Sequence, residues 1–187
     1  MADLRETRQP DGRLDVTCGD WTVESDAEDF FVQFVATTGM FRAHRQVFGE
    51  PLWKHFWQEH QAVKADVLLL PTRKLYDAGW RSGAIVIEVK RSGEKIGPGC
   101  NQLIDYTNSV FFLPSGVAVV PTFGFLFPAP KQHGPLASIM AHQHLGTAAI
   151  RHGSLNLFCG ESRVLTLGQD GRIDIGNVNF GRKLGAR

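Results

Sequence analysis

Apolar positions recur along this chain at helical spacing in some stretches and at every second residue in others, and the order of these stretches predicts an α/β fold. Ala27, Phe30, Phe31, Phe34 and Val35 stand at helical spacing behind Ser25-Asp-Ala-Glu28, a capping-box pattern, and predict a helix ending near Gly39. Residues 40–48 alternate as a strand, with Phe41, Ala43, Arg45 and Val47 on one face and Arg42, His44, Gln46 and Phe48 on the other. Lys64-Ala-Asp-Val-Leu-Leu-Leu-Pro71 and Ala84-Ile-Val-Ile-Glu-Val-Lys90 are short apolar runs of the kind buried strands show. Between them, residues 72–83 read as a polar loop or hairpin extension.

Residues 91–99 are a glycine-rich connection in which Pro98 suits an early helical position. Leu103, Ile104, Tyr106 and Val110 then mark a helix that stops before the Leu113-Pro-Ser-Gly116 turn. Residues 116–127 predict one buried strand bent at Pro121 and Gly124, and residues 136–150 a helix. Residues 155–158, 163–167 and 172–175 predict short strands that form a small accessory sheet. At the start, residues 1–10 are expected to be loose, and residues 13–17 to pair with residues 21–23 as a small hairpin. The aromatic Trp53-Lys-His-Phe-Trp57 segment reads as core first and as a base-stacking surface second.

The chemistry sits in the two middle strands, because each carries charge where apolar residues are expected. Side chains two apart on a strand share a face, so Glu88 and Lys90 emerge side by side. Burying an unpaired charge is expensive, so Asp66, Glu88 and Lys90 need each other, a metal, or water at the sheet edge. Two carboxylates on neighbouring strands suit a hard cation such as Mg2+, which keeps several waters and takes few protein ligands. The bland reading is a surface Glu-x-Lys ion pair and an aspartate that merely begins a strand.

Asp66 followed by Glu88-Val89-Lys90 resembles the active site of the PD-(D/E)XK nuclease superfamily, although Ala65 stands where the family name expects proline. Gln102-Leu-Ile-Asp-Tyr106 has the QxxxY spacing that is similar to the RecB-type exonuclease branch, and residues i and i+4 share a helical face. The resemblance covers about the middle third of the chain and implies a restriction-endonuclease-like α/β domain: a central mixed sheet flanked by helices (core about residues 21–128) with a C-terminal β-rich region (about 129–187). It implies metal-dependent phosphodiester hydrolysis, with Asp66 and Glu88 holding Mg2+ or its substitute Mn2+. Lys90 would assist the water nucleophile, and Gln102 and Tyr106 would orient water, lysine or phosphate. Such enzymes often carry a metal-side glutamate on the first helix; Glu28 or Glu24 matches, but the capping box already gives Glu28 a job. DNA is the substrate the resemblance implies, cut as an endonuclease or an exonuclease. The alternatives are a non-catalytic nucleic-acid-binding module on the same fold and a protein-interaction protein.

Composition changes this picture in a few places. With 187 residues, 43% hydrophobic and 21% charged, the chain is one ordinary globular domain, and no apolar run approaches the ~18 residues of a membrane helix. Residues 1–20 are polar, so a cytoplasmic location is expected, with no membrane partner. Cys18, Cys100 and Cys159 fit neither a disulfide framework nor a zinc pattern, and the pairs His55 with His60 and His142 with His144 lack a second ligand pair. The connection at residues 91–99 lacks the Gly-Lys-Ser/Thr ending of a nucleotide-binding loop. Net charge is only +1, but residues 1–29 hold nine acids against three bases, so the remainder carries +7. Arg42, Arg45, Arg73, Lys74, Arg81 and Arg91 are the candidate phosphate contacts, with the tail residues Arg182, Lys183 and Arg187 as further ones. A homo-oligomer is compatible with the sequence but not indicated by it.

Overall fold

The computed structural model describes residues 7–8, 14–15, 21–52, 62–91, 96–129, 140–141 and 143–176. Its chain order is β1 (Thr7–Arg8), β2 (Leu14–Asp15), α1 (Glu24–Thr38), β3 (Phe41–Pro51), β4 (Val63–Pro71), α2 (Arg73–Asp77), β5 (Ile85–Val89) and α3 (Ile96–Thr107). There follow β6 (Ser109–Phe112), β7 (Ala118–Val119), β8 (Phe123–Phe127), β9 (Leu145–Arg151), β10 (Ser154–Cys159), β11 (Ser162–Gly168) and β12 (Ile173–Ile175). The fold is α/β and mostly sheet. Among the described residues ten strands form one mixed sheet in the order β12-β11-β10-β9-β8-β5-β4-β3-β6-β7, while β1 and β2 pair with each other.

The β5–β8 and β8–β9 pairs are parallel and the other neighbours antiparallel. A parallel neighbour requires a crossover, and the β5-to-β8 connection supplies one that contains α3. The two faces of the sheet bury separate cores. Phe31, Phe34 and Val35 of α1 pack with Val67, Leu69, Ile85, Ile87, Phe123, Phe125 and the inward residues of β9–β11. On the other face, Leu103 and Tyr106 of α3 pack with Leu68, Val86, Phe111, Leu126 and Leu145. Two-residue alternation thus serves β5 and β8 as the sequence implies, with odd residues to α1 and even ones to α3.

In β3 and β4 the alternation breaks once. Phe41 and Ala43 belong to the α1-side core, yet Val47, expected on the same face, belongs to the α3-side core. Gln46 lies between them with φ 51°, a left-handed conformation that turns the strand over. Opposite it, β4 changes sides at Asp66: Val63 and Ala65 pack towards α3, Val67 and Leu69 towards α1. A half-step of this kind is invisible in a hydrophobic pattern, because each half alternates correctly by itself.

Several expectations are corrected. The C-terminal strands extend the main sheet and share its α1-side core instead of forming an accessory sheet. Residues 145–150, expected in a helix, are strand β9, flanked by β8 and β10; only glycine fits at position 146, since a Cβ there would lie 1.8 Å from the Phe158 carbonyl oxygen. Residues 116–127 are two strands separated at Pro121, which has no N–H to give a ladder. Helix α3 ends at Thr107, and Val110 belongs to β6 against the end of β3. The 72–83 connection contains α2. Strand β2 pairs with β1, so residues 7–8 of the expected loose start are ordered in a strand, and residues 21–23 are not one. Helix α1 begins at Glu24 without a side-chain cap, so Ser25 and Glu28 make no capping box, while Gly39 ends it at φ 65° as expected. Trp53, Trp57, Cys18, His55, His60, His142 and the tail residues Arg182, Lys183 and Arg187 lie outside the described residues.

No helix among the described residues is long and apolar enough to cross a membrane. The packing at β9 predicts that Gly146→Ala costs about 3 kcal/mol or more, because the clash is with backbone that no rotamer change relieves. Gly97→Ala on α3, where a Cβ meets nothing within 4 Å, is expected to be neutral or stabilising by up to ~1 kcal/mol. Urea unfolding midpoints of the two variants check this contrast.

Candidate active site

The site begins where the β4–β5 ladder stops. Its pairs are Leu69 with Ile85, Leu68 with Val86 and Val67 with Ile87; the next pair in that register is Asp66 with Glu88, and there the strands part. The Val89 N–H, freed from the ladder, donates to Asp66 Oδ2 at 2.8 Å. Glu88 is 1% exposed, its Oε1 2.5 Å from Lys90 Nζ. Glu88 Oε2 is buried and has no hydrogen-bond partner among the described residues. The structure therefore brings Asp66, Glu88 and Lys90 together, as the alternation and spacing predict.

Helix α3 adds its polar pair from the other side. The Tyr106 hydroxyl donates to the Lys64 carbonyl at 2.8 Å, tying the helix to β4 two residues before Asp66. The same hydroxyl faces the Glu88 carboxylate, and Gln102 lies one helical turn away beside it. Gly99 is placed close to Lys90: a Cβ there would lie 3.4 Å from Lys90 Cε and 2.7 Å from Leu126 Cδ2.

Helix α1 closes the third side. Glu24 Oε1 stands 4.0 Å from Lys90 Nζ. Glu28 is 6% exposed and takes Arg45 Nε on Oε1 at 2.5 Å and Gln46 Nε2 on Oε2 at 2.9 Å, while Arg45 Nη1 also reaches Asp29 Oδ1 at 2.5 Å. Glu28 is thus a buried, clamped carboxylate whose charge is felt at Asp66, and not a helix cap.

The electrostatics follow from burial. Desolvation raises the Asp66 carboxyl, with the Val89 N–H working against it. Burial, then the neighbouring Asp66 charge, push Glu88 up to about 7 against the pull of Lys90. Burial would lower the Lys90 ammonium, but the hydrogen bond and charge of Glu88 outweigh it and hold the group above its ordinary value. Burial and the facing Glu88 raise Tyr106, so its proton stays in place. Among the described residues no group of three or more His, Cys, Asp or Glu side chains is arranged to hold a metal. Two carboxylates with one unsatisfied buried oxygen nevertheless match the sparse protein coordination that Mg2+ accepts.

The candidate phosphate contacts separate into two groups. Residues 72–84 join the closed end of the β4–β5 hairpin, whereas Asp66 and Glu88 lie at its open end. Arg73, Lys74 and Arg81 are therefore about five strand residues, or roughly 17 Å, from the carboxylates. They bond locally, Arg73 to Asp77, Lys74 to the Thr38 carbonyl and Arg81 to the Tyr76 and Trp80 carbonyls. Arg42, opposite Leu70, is at that far end too. Only Arg45 and Arg91 are near the site, and Arg45 is held by Glu28 and Asp29. Sequence reasoning missed Gln46 and Lys64. Nothing in the local sequence marks Gln46, whose role depends on its left-handed backbone; Lys64 was legible only as the charged start of an apolar run.

Asp66→Asn keeps an acceptor for the Val89 N–H and removes one of two adjacent carboxylates. In chelator it is expected to melt at or above the wild-type temperature, and to lose any upward shift that Mg2+ gives the wild type. Calorimetry with and without Mg2+ checks this; a fall beyond about 2–4 °C, equivalent to ~1 kcal/mol in a chain of this size, means that Asp66 is a structural residue.

Set against known proteins, the chain matches no family model, no curated protein and no solved structure.

Proposed function

We propose that this chain is a divalent-metal-dependent nuclease that hydrolyses phosphodiester bonds in DNA. The reading is carried by Glu88 Oε2, a buried acceptor oxygen beside a second carboxylate, without a hydrogen-bond partner among the described residues. Such a group is costly, and buried polar atoms without partners are few in folded proteins, so one at the open end of a strand pair indicates a ligand. Asp66 and Glu88 would hold Mg2+, with Mn2+ as substitute, and the ion when bound supplies Lewis acidity and an acidified water.

The chain's own residues do the rest. Lys90, anchored on Glu88 and partly exposed, holds a positive charge against the negative charge that gathers on phosphorus during displacement. Being raised above its ordinary value, its ammonium keeps its proton, so it orients water or phosphate as a donor and does not act as a base. Tyr106 fixes the Lys64 segment of β4 and is a positioning residue for Asp66; Gln102, half-buried at the same opening, offers an amide donor. Glu28, clamped by Arg45 and Gln46, adds negative charge beside Asp66 and so favours a cation there.

The purified chain is expected to degrade DNA with Mg2+ or Mn2+ and to be silent in chelator. Asp66→Ala, Glu88→Ala and Lys90→Ala are each expected to lower kcat/KM at least about a hundredfold. Arg73→Ala and Arg81→Ala, at the closed end of the hairpin, are expected to stay within about twofold of wild type. Linear, circular and single-stranded DNA digested side by side provide the measurement. No cleavage of any of them at any divalent metal ends the proposal.

A further inference from the structure

We infer that the sheet face beyond the carboxylates that carries the exposed Phe48 and Phe112 is a stacking platform for unpaired bases, so that the substrate is single-stranded nucleic acid or the frayed end of a duplex. The inference rests on the nuclease reading for the location of the scissile phosphate, but its evidence is separate. Among the large apolar side chains exposed in the described residues, Phe48 and Phe112 are the two aromatic rings on strands, at 62% and 50% exposure. The β3–β6 ladder pairs Gly49 with Phe111, so one step further it sets Phe48 opposite Phe112. Phe111 is buried against α3; alternation therefore turns both Phe48 and Phe112 to the other face.

A cation completes the surface. Lys64, the register partner of Phe48 on β4, holds its Nζ 5.7 Å from that ring's centroid and makes no ion pair among the described residues. Phe112, Phe48 and Lys64 thus form a row across β6, β3 and β4, two flat apolar rings ending in a positive charge. An open groove of about 600 Å³ runs along β3 beside this row, lined by Gln46, Phe48, Ala62, Phe112 and Pro114 among others.

The groove adjoins the site through Arg45 and Gln46, which hold Glu28. Gln46 lies two residues before Phe48 and bonds Glu28; Lys64 lies two residues before Asp66, and its carbonyl takes the Tyr106 hydroxyl. A chain whose phosphate sits at Asp66 and Glu88 thereby has its neighbouring nucleotides over Phe48 and Phe112, with Lys64 facing the phosphates between. Exposed rings beside a cation, continuous with a phosphate site, are what a single strand uses: base faces stack on aromatic rings, and the backbone follows the charge. A duplex keeps its base faces inside the helix and has nothing to lay on those rings.

The test is binding of a fluorescent oligodeoxythymidine and of a blunt duplex, by anisotropy, in chelator and in Ca2+. Both readouts are independent of cleavage. The single strand is expected to bind more tightly than the duplex. Phe48→Ala and Phe112→Ala are each expected to weaken it about 5- to 150-fold, the range that loss of one stacked base gives, with duplex binding changed less than twofold. Both rings are exposed, so melting temperatures should hold; Phe48→Trp retains a stacking surface and is expected to retain binding. Equal loss on single strand and duplex, no loss on either, or a self-association abolished by these substitutions while single-strand binding stays intact overturns the inference. Those outcomes leave Mg2+-dependent cleavage untouched, whereas absence of cleavage with ring-dependent single-strand binding leaves the platform standing and removes the enzyme.

Discussion

A buried carboxylate, Glu88, stands beside a half-buried one, Asp66, where the sheet opens, and the surrounding structure is arranged around accommodating them. Had β4 and β5 stayed paired past Val67 and Ile87, the Val89 N–H would have gone to a ladder carbonyl and Asp66 would have had no backbone donor. The parting of the strands converts one lost backbone bond into a charge-assisted one. It also exposes one edge of the pocket, so that Lys90 stands between Glu88 and solvent. Holding Glu88 in the interior beside Asp66 remains unfavourable, which is why both carboxyls are raised, and no described residue hydrogen-bonds Glu88 Oε2.

The opening is held from three sides by contacts that are long in sequence and short in space. Helix α1 brings Glu28 to the Arg45–Gln46 corner of β3, α3 brings Tyr106 to the Lys64 carbonyl, and β8 supplies the parallel neighbour that keeps β5 in the middle of the sheet. Gln46 in a left-handed conformation is the least expected of these parts. A non-glycine residue persists there only where surroundings over-determine it, and the bond to buried Glu28 does so. The crossing of β3 and β4 from one core to the other at Gln46 and Asp66 leaves Asp66 between the layers, where neither apolar core has to contain it.

Charge is distributed by topology as much as by sequence. The basic residues of the 72–84 connection look like neighbours of the site because they lie between Asp66 and Glu88 in the chain. An antiparallel hairpin reverses that inference: residues between two positions at the open end of a hairpin occupy its closed end. Lys64 lies outside that interval, yet it is nearer the carboxylates than any base within it.

What the sequence determined by itself is what local chemistry decides. Two short apolar runs were enough to identify β4 and β5, and alternation to set Glu88 beside Lys90; helical spacing was enough for α1 and for bringing Gln102 and Tyr106 to one face. The α/β class followed from their order. Tertiary structure decided the rest. Residues 145–150 have a pattern that a buried helix and a doubly covered strand share, and only the presence of β8 and β10 on either side, with no room for a side chain at Gly146, selects the strand. Glu28 carries a capping-box signature that the long-range bonds to Arg45 and Gln46 override. The half-step at Gln46 leaves no mark in the sequence because hydrophobic patterns record which residues are buried, not which of two cores buries them.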